Sequence, residues 1–490
     1  MNLRFFINKY NSLISLFIFS ALSYLLFGKF NSVGYNFDSL KAITASKTLY
    51  SDTFSYWLQI FTQPIHIVQY RPLSIFAYFY WIRSIFGVDP ISFRIIFLIL
   101  LTILSTTMFS FFKRRMNPSL AMLSVVIFLI HPTHQYLVYE ISHNLKYYGP
   151  LLFLFLSLEI LSRDEISYKH YGFVILLITL SIMCHEASFV MPVVLLLYRY
   201  LYYKKINKGD FILILPSLTW LLTRVFIWRI PRKGEFQVNI FDNFLQKFIY
   251  YTNFSFGHIF QKFDDHGRVF DSLFYSSELI LVAVVLLTSI FFSFKLRNRD
   301  ILFSISSCLV LISPFMAMSE HVFGNRVMWA ISFACCLYLL IIDSLFKQGR
   351  KYVGGFALAL LLLLTFIHFD INGRQAVEIK YFKNYDELKE MVKQGKDVGA
   401  RTFKLQFDSL QDEDFAMTIV LPGKLALDFP EKEIQIFSER YNLVVKNGSY
   451  YNALVGKNGV YLSTDPFQIE KLRDFTLQTP KIDFKLNIAH

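Results

Sequence analysis

The sequence predicts a polytopic α-helical membrane protein, a bundle of about eleven transmembrane helices followed by a small extracytoplasmic α+β domain. The first observation is the composition: 54% of the 490 residues are hydrophobic and only 17% are charged. In soluble domains about a quarter of the residues are charged. The second is the recurrence of apolar runs of membrane-spanning length through the first three quarters of the chain. The third is the charge of the loops between these runs, which gives all of them one consistent orientation.

The apolar runs define the predicted transmembrane helices. Their ranges are 11–28, 91–112, 119–137, 147–162, 171–185, 187–203, 211–228, 277–294, 301–318, 327–345 and 353–369. The first run follows Arg4 and Lys9, as in a signal peptide. Because it lacks a clear small-residue cleavage site, we expect it to be a retained helix.

Basic residues mark every second loop. They follow the second, fourth, sixth, eighth and tenth spans, as Lys113, Arg114 and Arg115; Arg163 and Lys169; Lys204, Lys205 and Lys208; Lys295, Arg297 and Arg299; and Lys347, Arg350 and Lys351. Such loops stay in the cytoplasm, so the N-terminus is predicted to be cytoplasmic. The net charge of +13 then needs no nucleic-acid partner. We expect an integral protein of a bacterial inner membrane, surrounded by membrane lipids.

The segment 70–87 decides whether this orientation holds. A span there would invert every later loop, so the segment is predicted not to cross the membrane. It carries Arg71 and Arg83 between aromatic residues, a composition that suits a helix lying in the membrane interface. A twelfth span is the alternative. If the segment 70–87 lies in the membrane interface, the whole first loop, 29–90, is on the outer side.

The composition changes at about residue 370, where charged residues become frequent and no spanning run occurs. We therefore divide the chain into a transmembrane domain, 1–369, and an extracytoplasmic α+β domain, 370–490. We find no repeats in the second domain. Its predicted elements are an amphipathic helix at 385–393, a strand at 402–407, and turns at Asn447-Gly448 and Asn458-Gly459.

Carboxylates at the outer ends of the spans are candidates for chemistry. Asp38 follows the first span, where a carboxylate can act as a general base, hold a divalent cation, or simply be a solvated loop residue. Asp52 is a weaker candidate of the same kind. Glu186 lies between two apolar stretches, where a carboxylate is costly unless it has a partner or a function. His185 beside it is a ligand, a base or a rim residue.

Cationic side chains predicted on the same side indicate a phosphate site. They are Arg71, Lys146, Arg232, Lys233 and Arg326. Arginine pairs with phosphate oxygens through two parallel hydrogen bonds. Contacts with ordinary lipid head groups are the alternative interpretation.

His131 and His134 are three residues apart, a spacing that can place both rings on one helical face. Pro132 lies between them and is able to break the turn. Two histidines alone are a weak metal site. The pair therefore predicts either the rim of a binding cavity or a polar helix end. No nucleotide-binding, metalloprotease or serine-hydrolase motif occurs in a fitting context, which argues against nucleotide hydrolysis.

Taken in order along residues 1–350, these short segments resemble the GT-C superfamily of membrane glycosyltransferases. The resemblance is to the protein O-mannosyltransferases and to the transmembrane mannosyltransferases with tetratricopeptide tails. The matching segments are 35–43 (YNFDSLKAI), Tyr70-Arg71-Pro72-Leu73 with Phe86-Gly87, His131-Pro132-Thr133-His134, His185-Glu186 and Asn325-Arg326.

Three positions depart from the family's pattern. Ser39 stands where the family usually has a second acidic residue, His185 replaces a lysine, and Asn325 replaces a glutamate. These departures leave the sugar, the acceptor and any metal open. The C-terminal region also lacks the repeats.

The resemblance implies an inverting transfer of one sugar from a polyprenyl-phosphate donor to an extracytoplasmic acceptor, which is a protein, a lipid or a glycan. Asp38 would be the catalytic base or the carboxylate that orients the acceptor. Glu186 would support the site or, with Asp38, hold a divalent cation such as Mg or Mn.

The other landmarks take binding roles in this interpretation. Arg71, Arg326 and Lys146 would neutralise the donor phosphate as it leaves. The rim of the acceptor cavity would contain Tyr70, His131, His134 and His185.

Two alternatives stay open. A polymerase or ligase of surface polysaccharide would depend on outer basic residues such as Arg232 and Lys233 more than on Asp38. A lipid-linked-glycan transporter or flippase would place charges near the membrane midplane. The predicted spans are nearly free of internal charge, with Arg224 as the main exception, and this pattern favours chemistry at a surface.

Overall fold

A computed structural model gives the fold of the chain. It describes residues 3–27, 58, 61, 71–86, 90–131, 134, 141–163, 166–204, 206, 208–227, 298–316, 328–367, 389–390, 392–394, 402–406, 425, 434–437, 441–446, 449–456, 459–465, 468–471 and 481–485.

Helices make up most of the described chain. The α-helices are α1 (Leu3–Phe27), α2 (Tyr78–Phe86), α3 (Pro90–Phe112), α4 (Pro118–Ile130), α5 (Ile141–Leu161), α6 (Tyr168–Cys184), α7 (Met191–Tyr203), α8 (Leu215–Leu222), α9 (Arg299–Met316), α10 (Met328–Lys347) and α11 (Lys351–Ile367). A π-helix, Pro72–Ala77, leads into α2, and a 3-10 helix, Glu186–Val190, leads into α7. A 3-10 helix, Lys208–Ile214, precedes α8, and a π-helix, Thr223–Ile227, follows it.

The described helices agree with the predicted membrane class. Within the described residues, the helical segments Ile91–Phe112, Gly209–Phe226, Arg299–Met316 and Met328–Lys347 are long and apolar enough to cross a membrane. A helix lies at each predicted span except 277–294, which falls outside the described residues. The predicted count of eleven spans is therefore not confirmed. The prediction of an integral, mostly helical membrane protein is confirmed.

The helix predicted at 119–137 is shorter than expected. It ends at Ile130, and His131 already has an extended backbone with φ −58° and ψ 133°. The residue before a proline is pushed out of the helical region by the proline ring, and Pro132 follows directly. His131 and His134 consequently do not share a helical face.

Two predicted helices are interrupted near prolines. Pro192 lies in the first turn of α7 and Pro216 in the first turn of α8. Proline has no backbone N–H to donate, so it fits best in the first turn of an α-helix, where that N–H would have no partner within the helix. The chain before each of them forms a 3-10 helix instead.

Contacts between the termini of the described helices define two ends of the helical part. At one end, the Nε1–H of Trp329 at the start of α10 donates to the carbonyl of Tyr147 near the start of α5, at 2.7 Å. The ring of His185, just after α6, lies 5.3 Å from the Trp329 ring. This end, called the outer end here, holds the termini that the sequence predicts to be extracytoplasmic.

The inner end contains the termini that carry the basic loops. Arg115, after α3, donates to the hydroxyl of Tyr198 at 2.9 Å, and its guanidinium carbon lies 3.4 Å from the centroid of the Phe111 ring. The hydroxyl of Tyr202 donates to Asp300, at the start of α9. The separation of the two ends agrees with the alternation predicted from loop charge, while the side of the membrane on which each lies stays a prediction.

The described part of the C-terminal region contains one mixed sheet. Its strands are β1 (Thr402–Gln406), β2 (Ile434–Phe437), β3 (Tyr441–Lys446), β4 (Ser449–Gly456), β5 (Gly459–Asp465), β6 (Gln468–Lys471) and β7 (Lys481–Lys485). The order is β6-β5-β4-β3-β2-β1-β7, with β1 parallel to β2 and to β7 and the other pairs antiparallel.

Predicted elements of this region recur in the sheet. The strand predicted at 402–407 is present as β1. Strands β3 and β4 pair antiparallel on either side of Asn447-Gly448, and β4 and β5 do so around Asn458-Gly459, as the turn signals predicted.

The described residues divide into two compact units. The first lies within Met1–Asn31, Asp52–Tyr78 and Ile91–Ile371, and the second within Ser32–Ser51, Phe79–Pro90 and Asn372–His490. The predicted boundary between 369 and 370, and the extracytoplasmic location of 370–490, stay predictions.

A substitution at the buried pair of Arg199 and Asp210 tests whether this pair stabilises the inner end. Asp210 is fully buried and accepts hydrogen bonds from Arg199 Nε at 3.2 Å and from the Tyr171 hydroxyl at 2.6 Å. Asp210→Asn leaves the Arg199 charge buried without a counter-charge, so we expect a loss of about 3–5 kcal/mol, measured as a lower melting temperature of the purified protein in detergent. Glu390→Gln, which breaks the exposed pair of Glu390 and Lys393, should change it by less than about 1 kcal/mol. Equal shifts for the two variants would contradict this expectation.

Candidate functional site

A buried ion pair joins two of the sequence landmarks at the outer end. Arg71 Nε donates to Glu186 Oε2 at 2.7 Å, and Arg71 Nη2 donates to Glu186 Oε1 at 2.8 Å. Each side chain is only 7% exposed. The two parallel hydrogen bonds use both oxygens of the carboxylate and one edge of the guanidinium, which is the strongest geometry available to such a pair.

Local backbone structure presents the two side chains to each other. Arg71 precedes the π-helix Pro72–Ala77, whose first residue is a proline that needs no hydrogen-bond acceptor. Glu186 opens the 3-10 helix Glu186–Val190 between α6 and α7. The hydroxyl of Ser74 donates to the carbonyl of Cys184 at 2.7 Å, and this contact fastens the first segment to the end of α6.

Cationic side chains surround the Glu186 carboxylate, which lies in the turn between α6 and α7. Burial raises the pKa of Glu186, but the charge of Arg71 and its hydrogen bonds lower it more, so the net pKa lies below the usual 4.5. Lys146 acts on the carboxylate in the same direction. Arg224 is close enough for its charge to interact with both Glu186 and Arg71. Glu186 is therefore held as an anion among three cations.

His185 lies in an aromatic environment next to this pair. Its ring centroid is 5.4 Å from that of Tyr147, 5.3 Å from that of Trp329 and 6.1 Å from that of Phe315. Its Nδ1 accepts a hydrogen bond from the backbone N–H of Ala187 at 3.1 Å. An accepting Nδ1 carries no proton, so any proton of this ring is on Nε2. His185 thus shapes the turn that presents Glu186.

His131 and His134 are both buried beyond the end of α4. His134 Nδ1 is 2.5 Å from the hydroxyl of Tyr148, and its ring lies 4.4 Å from the ring of Phe128, edge to face. The backbone N–H of His134 donates to the carbonyl of His131 at 3.0 Å. This packing makes the pair part of the interior of the outer end, which fits a cavity wall better than an exposed helix face.

The described residues of the site do not fit a metal ion. No group of three or more His, Cys, Asp or Glu side chains within the described ranges is placed to hold one. Both oxygens of Glu186 accept hydrogen bonds from Arg71, and the neighbouring cations Lys146 and Arg224 would repel a divalent cation. Glu186 is thus a partner for cationic side chains. A metal site would have to use Asp38 as its carboxylate.

The structure describes only some of the predicted positions. Arg71, Lys146, His131, His134, His185 and Glu186 are all described, and all lie at the outer end. Asp38, Tyr70 and Arg326 lie outside the described residues, as do Arg232 and Lys233. The roles of the described and the undescribed residues alike stay predictions.

Sequence reasoning missed two contributions to this end of the molecule. Arg94, inside the span of α3, is 1% exposed; a charged residue within an apolar run was the available signal. Arg224 was predicted only as a charged exception within an apolar span. Its electrostatic interaction with Arg71 and Glu186 was not predicted. No sequence signal connects residues so far apart along the chain.

Comparison with known proteins gives a weak likeness of fold. No known family profile matches the sequence, and no curated protein sequence matches it. Fold and site so far define an integral, mostly helical membrane protein with a buried, charged centre at one end.

Two solved structures are weakly similar to this chain. The archaeal oligosaccharyltransferase AglB from Archaeoglobus fulgidus, in complex with an inhibitory peptide and a dolichol-phosphate, is 13% identical with a TM-score of 0.44, over 83% of this chain and 63% of that one. The Archaeoglobus fulgidus oligosaccharyltransferase in its apo form is 12% identical with a TM-score of 0.45, over 82% and 63%. This chain thus spans less than two thirds of their length. At this level of identity and superposition, the likeness defines neither a family nor an activity for the chain.

The Arg71–Glu186 pair leads to a double-variant prediction. Glu186→Leu or Arg71→Met alone should each lower stability by about 3–5 kcal/mol, since each removes one partner of the buried pair and leaves the other charge behind. The double change Arg71→Met with Glu186→Leu should recover most of that loss, because both charges of the buried pair are removed together. Thermal unfolding of the four proteins in one detergent measures the coupling. Additive losses in the double variant would show that the two side chains are not energetically linked.

The pH dependence of the same pair has a definite sign. The pKa of Glu186 is lower in the folded chain than its usual 4.5, so the pair stabilises the fold fully above about pH 4.5, and this contribution is lost as the pH falls through the lowered pKa. We expect the difference in melting temperature between the wild type and Glu186→Gln to be constant from pH 7 to about 5 and to shrink below that. A difference that grows on acidification would contradict the assignment.

Proposed function

We propose that this chain is a glycosyltransferase of the GT-C type, which moves one sugar, with inversion, from a polyprenyl-phosphate donor to an extracytoplasmic acceptor. The observation that supports the proposal most is the buried, bidentate pair of Arg71 and Glu186. It brings together the arginine and the carboxylate of two separate segments in which the sequence resembles that superfamily. The acceptor is a protein, a lipid or a growing glycan, and a hexose such as mannose is the first sugar to test.

The cations at the pair support a phosphate-bearing donor. Among the described residues, Arg71, Lys146 and Arg224 all act on the carboxylate of Glu186. Positive groups fixed in a dry environment stabilise negative charge that develops on a leaving group. A polyprenyl phosphate released from its sugar is such a leaving group. A soluble nucleotide-sugar donor is not needed, because the donor's apolar tail lies in the membrane.

Glu186 has a positioning role in this proposal. Its two oxygens are engaged by Arg71, and its lowered pKa makes it a poor proton acceptor near neutral pH. It holds the guanidinium of Arg71 in a fixed orientation within the site. The general base toward the acceptor is then Asp38, which removes the proton of the acceptor's hydroxyl or amine as the bond to the sugar forms.

The remaining landmarks complete the proposed site. Arg326 joins the phosphate end, and Tyr70, His131, His134 and His185 belong to the wall that faces the acceptor. The domain 370–490 lies on the extracytoplasmic side, where the acceptor is found, with the N-terminus in the cytoplasm of a bacterial cell.

Any divalent cation in this proposal is held at Asp38. Glu186 is not available to it while paired with Arg71, so Asp38 would have to supply the carboxylate. Activity that survives EDTA would remove the metal from the reaction without affecting the roles of Arg71 and Asp38.

The proposal predicts how transfer responds to substitution. In liposomes holding the full chain, a panel of radiolabelled polyprenyl-phosphate hexoses is supplied with membranes as the acceptor source, and release of polyprenyl phosphate is followed by chromatography. Asp38→Asn should slow release by about 100-fold or more through loss of the base. Arg71→Lys, which keeps the charge and loses the two-pronged geometry, should slow it by about tenfold or more.

Controls separate the proposal from its alternatives. Asp52→Asn should leave the rate unchanged, and unchanged melting temperatures show that each variant is folded. Full activity of folded Asp38→Asn would remove Asp38 from the mechanism. Loss of activity in Arg232→Gln or Lys233→Gln, together with full activity of Asp38→Asn, would favour a polymerase or ligase. Movement of the lipid-linked sugar between leaflets without release of polyprenyl phosphate would favour a transporter.

A further inference from the structure

The inner end contains a cavity of about 450 Å³ between the α3–α4 loop and the last turn of α10. Arg114, Arg115 and Asn117 line it from the loop, and Asp343 and Lys347 line it from α10. The charged side chains of its wall are therefore three cations and one carboxylate. Clefts in which one sign of charge predominates concentrate ligands of the opposite sign, so this cavity favours an anion.

Two of these cations reach the surface of the protein. The side chain of Arg114 is 46% exposed and that of Lys347 is 65% exposed. Arg114 Nη2 lies 2.5 Å from Oε2 of Glu159, and Lys347 Nζ lies 2.7 Å from Oδ2 of Asp343. A guanidinium has five N–H groups and an ammonium has three, and exposed ion pairs contribute little to stability. Both side chains can therefore bind a further anion at small cost.

The cavity lies where two long apolar segments end. Ile91–Phe112 stops just before the loop that forms one wall, and Met328–Lys347 ends at the other wall. The end of a membrane-spanning helix lies at the boundary between the hydrocarbon core and the lipid head groups. Basic side chains at that level are attracted by anionic lipids. The exposed cations are therefore at the depth of lipid phosphates.

An apolar surface continues from the cavity along α11. Phe346, which also lines the cavity, packs against Gly354 so closely that a Cβ on this glycine would lie 3.0 Å from its ring. On the same helix Tyr352 is 96% exposed and Phe356 is 71% exposed. These two residues are four positions apart and therefore share one face of α11. A ligand with a charged head and apolar chains fits this combination of surfaces.

We infer that this cavity binds the head group of an anionic phospholipid of the phosphatidylglycerol type. Arg114 and Lys347 contact its phosphate, the carboxylate of Asp343 accepts a hydrogen bond from a head-group hydroxyl, and the acyl chains lie along the exposed face of α11. A choline head group fits less well, because it brings a second cation toward Lys347 and offers no hydroxyl. The inference does not depend on the proposed function, whose site is at the outer end.

Lipid binding to the purified full chain tests this inference. Native mass spectrometry in detergent measures the dissociation constants of phosphatidylglycerol and of phosphatidylcholine with the same acyl chains. The third probe is glycerophosphoglycerol, which is the same head group without acyl chains. We expect phosphatidylglycerol to bind about tenfold or more tightly than phosphatidylcholine. Glycerophosphoglycerol should not bind at the same concentrations, because it lacks the contact with α11.

Matched variants locate the binding site. Arg114→Gln and Lys347→Gln should each weaken binding of phosphatidylglycerol about fivefold and leave phosphatidylcholine unchanged. Arg114→Lys combined with Lys347→Arg keeps both charges and should bind nearly as the wild type does. The control is Arg163→Gln combined with Lys169→Gln, which removes two exposed cations of another loop and leaves the cavity intact. It should not change the preference for phosphatidylglycerol.

Several results would overturn the inference. Equal affinity of the wild type for the two lipids would show that the head-group charge is not recognised. Equal binding of phosphatidylglycerol by the folded Arg114→Gln and Lys347→Gln variants and by the control would place the lipid elsewhere. Tight binding of glycerophosphoglycerol would show that the ligand is a soluble anion. Melting temperatures establish folding, and a loss shared by the charge-keeping double variant would show that charge is not what binds the lipid.

Discussion

The outer end of this protein depends on one interaction, the buried contact of Arg71 with Glu186. Two full charges are withdrawn from water there, and only the paired geometry, with hydrogen bonds of 2.7 and 2.8 Å, makes their burial tolerable. The rest of the site is arranged around that requirement. Ser74 ties the segment after Arg71 to the end of α6, and His185 supports the turn that carries Glu186.

The same contact places Glu186 among cations. Within the described residues, Arg71 occupies both oxygens of the carboxylate, while Lys146 and Arg224 also interact with it. Charges buried in a region of low dielectric act strongly on one another. In the proposed function this group of cations holds the lipid phosphate, and it disfavours a divalent cation at Glu186.

The sequence predicted the helices and their alternation more reliably than the details near prolines. Apolar length and loop charge are local properties, and both are determined by contact with lipid, so the spans from α3 to α11 that are described lie close to their predicted places. Pro132 ended α4 at Ile130, and the starts of α7 and α8 adopted 3-10 geometry before a proline. These are backbone effects of single residues that a hydropathy pattern does not register.

By itself the sequence determined the membrane class, the set of polar landmarks and the expectation that they gather at one end. Each of these follows from the cost of placing charge or unpaired backbone groups in lipid. Only the tertiary structure decided which landmarks touch. It paired Arg71 with Glu186 across 115 positions of sequence, packed His134 against Tyr148, and brought Arg224 next to the pair. Contacts between distant residues depend on how whole helices pack, and no local pattern in the chain specifies that packing.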